Sequence, residues 1–327
     1  MQRPPSIAAI TGWLRAKRPL GISDPITVTD IDPKPWSGHF NYLVTAPGQR
    51  FVLRFKGPEW GEPASGIVNE YENLKLLESY AVGPRVFGLE QDFFGEPAMF
   101  MEFLEGKPLS AYDSTEQMRF FPEVLRLIAA VNRIPHETLP LKLDEPYVSY
   151  ERSWQAWQER LSVIRGASQL QEWAGRLEAL LPRVETMLDR FEPRLERVLK
   201  AVGPSFIFAS AHGGHCFPTG DGLRFINWEK TSSGDPSFTL AVFLASISAR
   251  PDFETVKTRM VEEYTAEVPI PEFSALLEER LAEREVSNLF WVLWAYVNRR
   301  DTAPPDTATG APARYERVLE ILDRYAA

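Results

Sequence analysis

The sequence predicts an α+β protein, with a small β-rich lobe followed by a larger, mainly helical one. Three observations carry this. Residues 26–55 and 82–106 hold β-branched and aromatic runs broken by short turns. One amphipathic stretch, GIVNEYENLKLLESY, separates them. After Gly106 most of the chain repeats apolar residues at helical spacing. A chain of 327 residues has the length of two domains, or of one domain with two lobes. It can bury a core without a disulfide or metal staple.

Residues 5–20 read as a short helix. ITVTDID then supplies a strand, and YLVTA and FVLRF form a hairpin across Pro47 and Gly48. In the amphipathic stretch, Val68, Tyr71, Leu74 and Leu77 mark the apolar face of a helix. VGPRVFGLEQDFFGEPAMFMEFLEG gives two more strands with a turn at Gly95. FPEVLRLIAAVNRI is an amphipathic helix stopped by Pro135, and residues 150–200 read as two or three long helices. The segment 205–230 interrupts them with short strands around a Gly- and His-rich loop. Helices resume at Thr239, with a loose loop at DTAPPDTATGAPA. The expected domains are 1–104 and 105–327, the second holding the β insertion at 205–230.

Composition excludes several classes. The formal charge is -9, whereas broad nucleic-acid binding needs basic stripes. The single cysteine, Cys216, forbids an intrachain disulfide and a multi-cysteine zinc site. No signal-peptide pattern is present, and the longest apolar run, near Leu240–Ile247, is too short to span a bilayer. A cytoplasmic protein is the expectation.

The motifs, in their order, make the chain resemble the aminoglycoside phosphotransferase and choline kinase superfamily, relatives of protein kinases. They are SGHFNYLV followed by FVLRF, then NEYENL, VGPRVFG, MFMEFLEGKPL and FINWEKTSSGDPSF. The resemblance spans residues 25–300 and implies a bilobal protein kinase-like fold. It implies that the turn at Gly38 and Asn41 covers nucleotide phosphates, and that Arg54 is the basic residue of the next strand. An Arg fork suits phosphate oxygens. Lys56 lies two residues on, on the same strand face. Glu70 is then the carboxylate that orients Arg54, while Glu72 is displaced toward solvent. The backbone from Glu102 to Leu104 would meet an adenine edge. Asp235-Pro236 also reads as a helix start, with Asp at the N-cap and Pro at N1.

The chain departs from the family pattern where chemistry is concentrated. The family's catalytic loop is His-Gly-Asp followed, after four residues, by Asn. One register places Ala209-Ser210-Ala211 on His-Gly-Asp, Cys216 on the Asn, and Asn227 on the later metal-binding Asp. A second places His212-Gly213-Gly214 there, with Thr219 on the Asn. Neither supplies an acid. Thr239 stands where relatives usually carry Asp. Ala211 cannot accept a proton, and cysteine is a poor ligand for the hard magnesium ion. A general base typically contributes about 10²–10⁴-fold.

His212, His215 and Cys216 are close enough in sequence for a transition metal, or for a repurposed base. The plainer reading is a hydrogen-bonded loop with Cys216 as a packing residue. His39 and His136 read as isolated. The tryptophans at 154, 157, 173, 291 and 294 read first as core or helix packing, with a cation–π pocket as the sharper alternative.

The leading expectation is a kinase-like protein with a degenerate centre, binding ATP, another nucleotide or a small-molecule ligand and poorly equipped for magnesium. An active ATP-dependent small-molecule kinase, phosphorylating the hydroxyl of an amino-alcohol or aminoglycoside-like substrate, is the first alternative. A protein-interaction scaffold is the second. No nucleic-acid or membrane partner is expected.

Overall fold

The computed structural model describes residues 4–31, 39–56, 65–299, 304–306 and 310–325. The chain divides into two compact units. The first comprises 1–123, 135–143 and 214–231; the second comprises 124–134, 144–213 and 232–327.

The first unit is built on a five-stranded antiparallel sheet. Its strands are β1 (Thr27–Asp30), β2 (His39–Ala46), β3 (Gln49–Lys56), β4 (Val86–Phe93) and β5 (Glu96–Glu102), in the order β1-β2-β3-β5-β4. Both hairpins turn where the sequence places them. Pro47-Gly48 joins β2 to β3, and Phe94-Gly95 joins β4 to β5 with positive φ at both residues. That pairing matches the twist of the flanking strands.

The period-2 alternation of β3 sets the layout. Phe51, Leu53 and Phe55 join Ile10 and Leu14 of helix α1 (Ile7–Lys17) in one core. Arg54 lies between Leu53 and Phe55 in the strand and therefore projects to the opposite face, as does Val52. Helix α2 (Ser65–Leu77) contacts β3, β4 and β5. Its buried residues are Ile67, Glu70, Asn73, Leu74 and Leu77, while Val68 and Tyr71 are only half-buried. The buried face is thus rotated by about one residue from the apolar stripe of the sequence. It takes in two polar residues because each finds buried partners. A second hairpin, β7 (Cys216–Thr219) with β8 (Gly222–Phe225), completes this unit.

The second unit is mainly helical. It contains α4 (Glu151–Gly166), α5 (Gln171–Val202), α6 (Phe238–Ser246), α7 (Phe253–Glu267), α8 (Phe273–Arg299) and α9 (Ala311–Tyr325), with the end of α3 (Ser114–Asn132). Its core joins Trp157, Leu161, Leu177, Val184, Leu195, Leu289, Phe290, Leu293 and Val318. Trp157 and Trp173 are buried, in keeping with the packing expectation, and Trp291 is exposed. Strands β6 (Ser205–Phe208) and β9 (Thr231–Gly234) pair. Gly234 has φ of 132°, and a Cβ there would lie 2.3 Å from the Tyr147 carbonyl oxygen. Only glycine allows that parallel bridge to Tyr147.

Asp235 caps the entry to α6 as expected: the helix is assigned from Phe238, but Asp235 Oδ1 accepts the Ser237 amide, the bond an N-cap makes when proline stands at N1. The Asp235 carboxylate is fully buried. Oδ1 accepts hydrogen bonds from the Ser237 amide (2.8 Å) and hydroxyl (2.7 Å), and Oδ2 accepts from Arg280 Nε at 2.6 Å. One carboxylate thus caps the turn into α6 and pairs with a buried cation.

Among the described residues, no helix is long and apolar enough to cross a membrane.

Candidate nucleotide-binding site

The candidate site assembles within the first unit around Arg54. Antiparallel pairing of β2 with β3 sets Asn41 opposite Arg54 and His39 opposite Lys56, so these side chains share a sheet face. Arg54 is 4% exposed, and an isolated guanidinium so deep would be costly. It is not isolated. Nε donates to Glu70 Oε2 at 2.8 Å, Nη1 donates to Asn41 Oδ1 at 3.1 Å, and Nη2 lies 2.9 Å from His39 Nδ1. Nη2 also donates to Asn227 Oδ1.

These contacts fix the histidine. Arginine has only donors, so His39 Nδ1 must accept and its proton sits on Nε2. Nε2 lies 3.1 Å from Glu229 Oε2. Burial alone would raise the Glu229 pKa, but the His39 N–H and the cations Arg54 and Lys230 bring it down to about 2. The second oxygen of Glu70 accepts the Trp228 amide at 3.0 Å. Glu70 thus ties the sheet to residue 228, and Glu72, exposed, does not take part.

The segment around Asn227 is held from several sides. Asn227 has φ of 75°, a left-handed conformation that asparagine tolerates better than most residues. Trp228 is fully buried, and its indole donates to the Phe225 carbonyl at 2.7 Å. Gly83 makes room for it: a Cβ there would come within 2.6 Å of Trp228 Nε1 and 2.7 Å of Leu74 Cδ2. The Asn73 amide lies within 3.2 Å of the Trp228 and Lys142 carbonyls and the Thr231 hydroxyl, and its oxygen accepts the Lys142 amide.

Gly38 lies outside the described residues. The Glu102 amide donates to the Arg85 carbonyl at 2.8 Å, and the Glu102 carboxylate accepts from the Arg85 amide. Leu104 follows the end of β5 and is half-buried. Ala211 is fully buried in the second unit. His212 follows it, its amide bonded to the Ser210 carbonyl, and burial lowers its pKa to about 4. That is well below the range of an efficient base at neutral pH. The His215 carbonyl accepts the Ile226 amide. Cys216 opens β7, buried opposite Phe225, and burial raises its thiol pKa to about 12, so it stays protonated.

Of the first-unit residues that the resemblance sets at metal positions, Asn227 turns its Oδ1 to a guanidinium and Cys216 offers a buried sulfur, a poor ligand for magnesium. One grouping among the described residues, His39, Glu70 and Glu229, brings three donor atoms within 4.8 Å of one another. Arg54 touches two of the three, His39 Nε2 lies 3.1 Å from the third, and Glu229 Oε2 itself accepts no well-aligned hydrogen bond. It is an ion-pair network. A hard cation there would displace hydrogen bonds and meet the charge of Arg54.

The family is decided by the sequence as a whole. A model of the phosphotransferase enzyme family known as APH matches residues 33–276. The chain belongs to this family. Solved structures agree on the fold, which is protein kinase-like. Choline kinase from Cryptosporidium parvum Iowa II is 15% identical, with a TM-score of 0.65 over 98% of this chain and 96% of that one. Plasmodium vivax ethanolamine kinase is 11% identical, with a TM-score of 0.67 over 98% and 89% of the two chains. A thermostable mutant of the aminoglycoside phosphotransferase APH(4)-Ia, in ternary complex with ADP and hygromycin B, is 14% identical, with a TM-score of 0.61 over 95% and 98%. A comparison with curated proteins finds no match.

His39 and Asn73 are the site residues that sequence reasoning missed. His39 read as isolated because its partners lie 15 and 190 positions away. Asn73 carried one usable signal, three positions after Glu70 on the same helical face.

Proposed function

We propose that this phosphotransferase-family protein binds a nucleotide or a related small molecule through its first unit and does not perform ordinary magnesium-dependent phosphoryl transfer. The observation that carries this is the hydrogen bond from Arg54 Nη2 to Asn227 Oδ1. In the family pattern, position 227 offers a carboxylate to a metal ion. Here the guanidinium itself stands on that oxygen. Arginine has five N–H donors. Nε–H, one on Nη1 and both on Nη2 meet Glu70, Asn41, His39 and Asn227, which leaves one Nη1 hydrogen for a ligand oxygen. Ala211 supports the same reading, since it offers no group to accept a hydroxyl proton.

An active small-molecule kinase is the second reading. The buried Arg54–Glu70 pair favours it, because that pair would orient a cation toward phosphates. Choline kinase, ethanolamine kinase and an aminoglycoside phosphotransferase crystallised with ADP share the fold. On this reading the acceptor is an alcohol, and Glu229, His212 or His215 takes over a missing role. The lone, buried Cys216 suits a reducing compartment such as the cytoplasm in either case.

Thermal shift with ATP and ADP, each with and without magnesium, separates the readings. Stabilisation follows RT ln(1 + [L]/Kd), about 2.7 kcal/mol at 100 times Kd. A metal-independent shift supports the degenerate centre, and a magnesium-dependent shift with turnover supports the kinase. No shift removes both.

A further inference from the structure

Strand β3 carries a second cation, placed differently from the first. Lys56 closes the strand two residues after Arg54, so the two side chains leave the sheet on one face, away from the core that holds Phe55. Arg54 is spent inward. Its side chain is 5% exposed, and its bonds to Glu70, Asn41, His39 and Asn227 leave one hydrogen on Nη1. Lys56 is half-buried, so part of it meets solvent, and its ammonium makes no hydrogen bond or ion pair with a described residue. The buried carboxylates beside it are engaged elsewhere, Glu70 with Arg54 and Glu229 with His39.

Arg54 also decides how Asn41 presents its amide. A guanidinium only donates, so the Asn41 atom that faces Nη1 at 3.1 Å is the oxygen, and the NH2 group is the end left for other partners. Among the described residues Nδ2 has none, and Asn41 is half-buried. In the register Asn41 pairs with Arg54 and His39 with Lys56, which makes Asn41 and Lys56 diagonal neighbours on one face. Such positions lie about 7–8 Å apart, within reach of a long side chain. His39, directly opposite Lys56, turns Nδ1 to Arg54 and Nε2 to Glu229.

The open groups on this face are therefore donors: the ammonium of Lys56, the NH2 of Asn41 and one Nη1 hydrogen of Arg54. Donors beside a solvent-reaching positive charge select an anionic oxygen. The two outer groups divide the task. Lysine is a compact point charge that follows a phosphate without fixed geometry, and a held amide supplies direction.

We propose that Lys56, together with the Asn41 amide that Arg54 orients, holds the phosphate oxygens of the first unit's ligand. The inference rests on the reading that this unit binds a phosphorylated small molecule, and it moves the main charge contact from Arg54 to Lys56. Calorimetry on the full chain, at constant ionic strength and in a chelator, tests it with ATP, inorganic tripolyphosphate and adenosine. Lys56→Met should weaken ATP and tripolyphosphate roughly tenfold or more and leave adenosine unchanged. Asn41→Asp keeps the acceptor for Arg54 but puts an oxygen in place of the NH2, and should do the same. Lys56→Arg keeps the charge and should retain most of the affinity. ATP bound alike by the parent and by Lys56→Met overturns the proposal and leaves the nucleotide reading standing. Tripolyphosphate held through Lys56, with ATP and adenosine both unbound, supports the proposal and ends the nucleotide reading. An equal loss of adenosine marks collapse of the site and overturns the proposal, as does a parent that binds neither phosphate probe.

Discussion

Arg54 and Asn227, 173 positions apart, meet in a hydrogen bond from the guanidinium Nη2 to the side-chain oxygen. That contact joins β3 to the segment after β8 and gives Asn227 two tasks. It accepts a charge-assisted bond, and it occupies a left-handed backbone position.

The two tasks are separable. Asn227→Ala should cost about 2–4 kcal/mol, from the lost bond to a charged group and from strain at positive φ. Asn227→Gly loses the bond but relieves the backbone, and should cost about 1 kcal/mol less than the alanine variant. Denaturant midpoints measured on the pair check this ordering.

Glu70→Gln should destabilise more than either. It leaves Arg54, 4% exposed, without its carboxylate, and breaking one partner of a buried ion pair costs about 3–5 kcal/mol. Equilibrium unfolding in urea, followed by tryptophan fluorescence, reports the loss. Glu72→Gln, at an exposed neighbour, should be within about 0.5 kcal/mol of the parent.

Gly83→Ala tests the packing beneath the site. The added methyl meets Trp228 and Leu74 at 2.6 and 2.7 Å. Overpacking of this kind costs about 1–3 kcal/mol. The near-ultraviolet circular dichroism of the buried indole should change with it, whereas a surface glycine variant such as Gly175→Ala should leave that signal alone.

Two pH windows follow from burial and pairing. His212 is held near pKa 4, below the 6.5 of an unfolded histidine. The unfolded chain therefore binds the extra proton first, so stability is full above pH 6.5 and falls toward pH 4. The loss is roughly 3 kcal/mol at most and should vanish in His212→Gln. Glu229, lowered from 4.5 to about 2, contributes stability above 4.5 that is lost as pH falls through 2. Denaturant midpoints against pH, with and without His212→Gln, separate the windows.

Much of the framework was legible in the sequence because it is local. The Pro47-Gly48 and Phe94-Gly95 turns, the amphipathic α2 and the stop at Pro135 each follow from a few neighbouring residues. The Arg54–Glu70 pairing was legible only through the order of motifs. The contacts of His39 with Glu229 and of Asp235 with Arg280 were not, because they join positions 190 and 45 residues apart. Asp235-Pro236 shows why. Its local pattern is a helix cap and Oδ1 makes that bond, but Oδ2 meets a cation from α8, and sequence does not say which arginine that is.

Calorimetric titration of ATP into the full chain, in magnesium and again in a chelator, asks whether Arg54 stands in place of a metal as proposed. The same affinity is expected in both, with no ADP released on prolonged incubation with alcohol acceptors. Magnesium-dependent binding accompanied by several turnovers per second would contradict it.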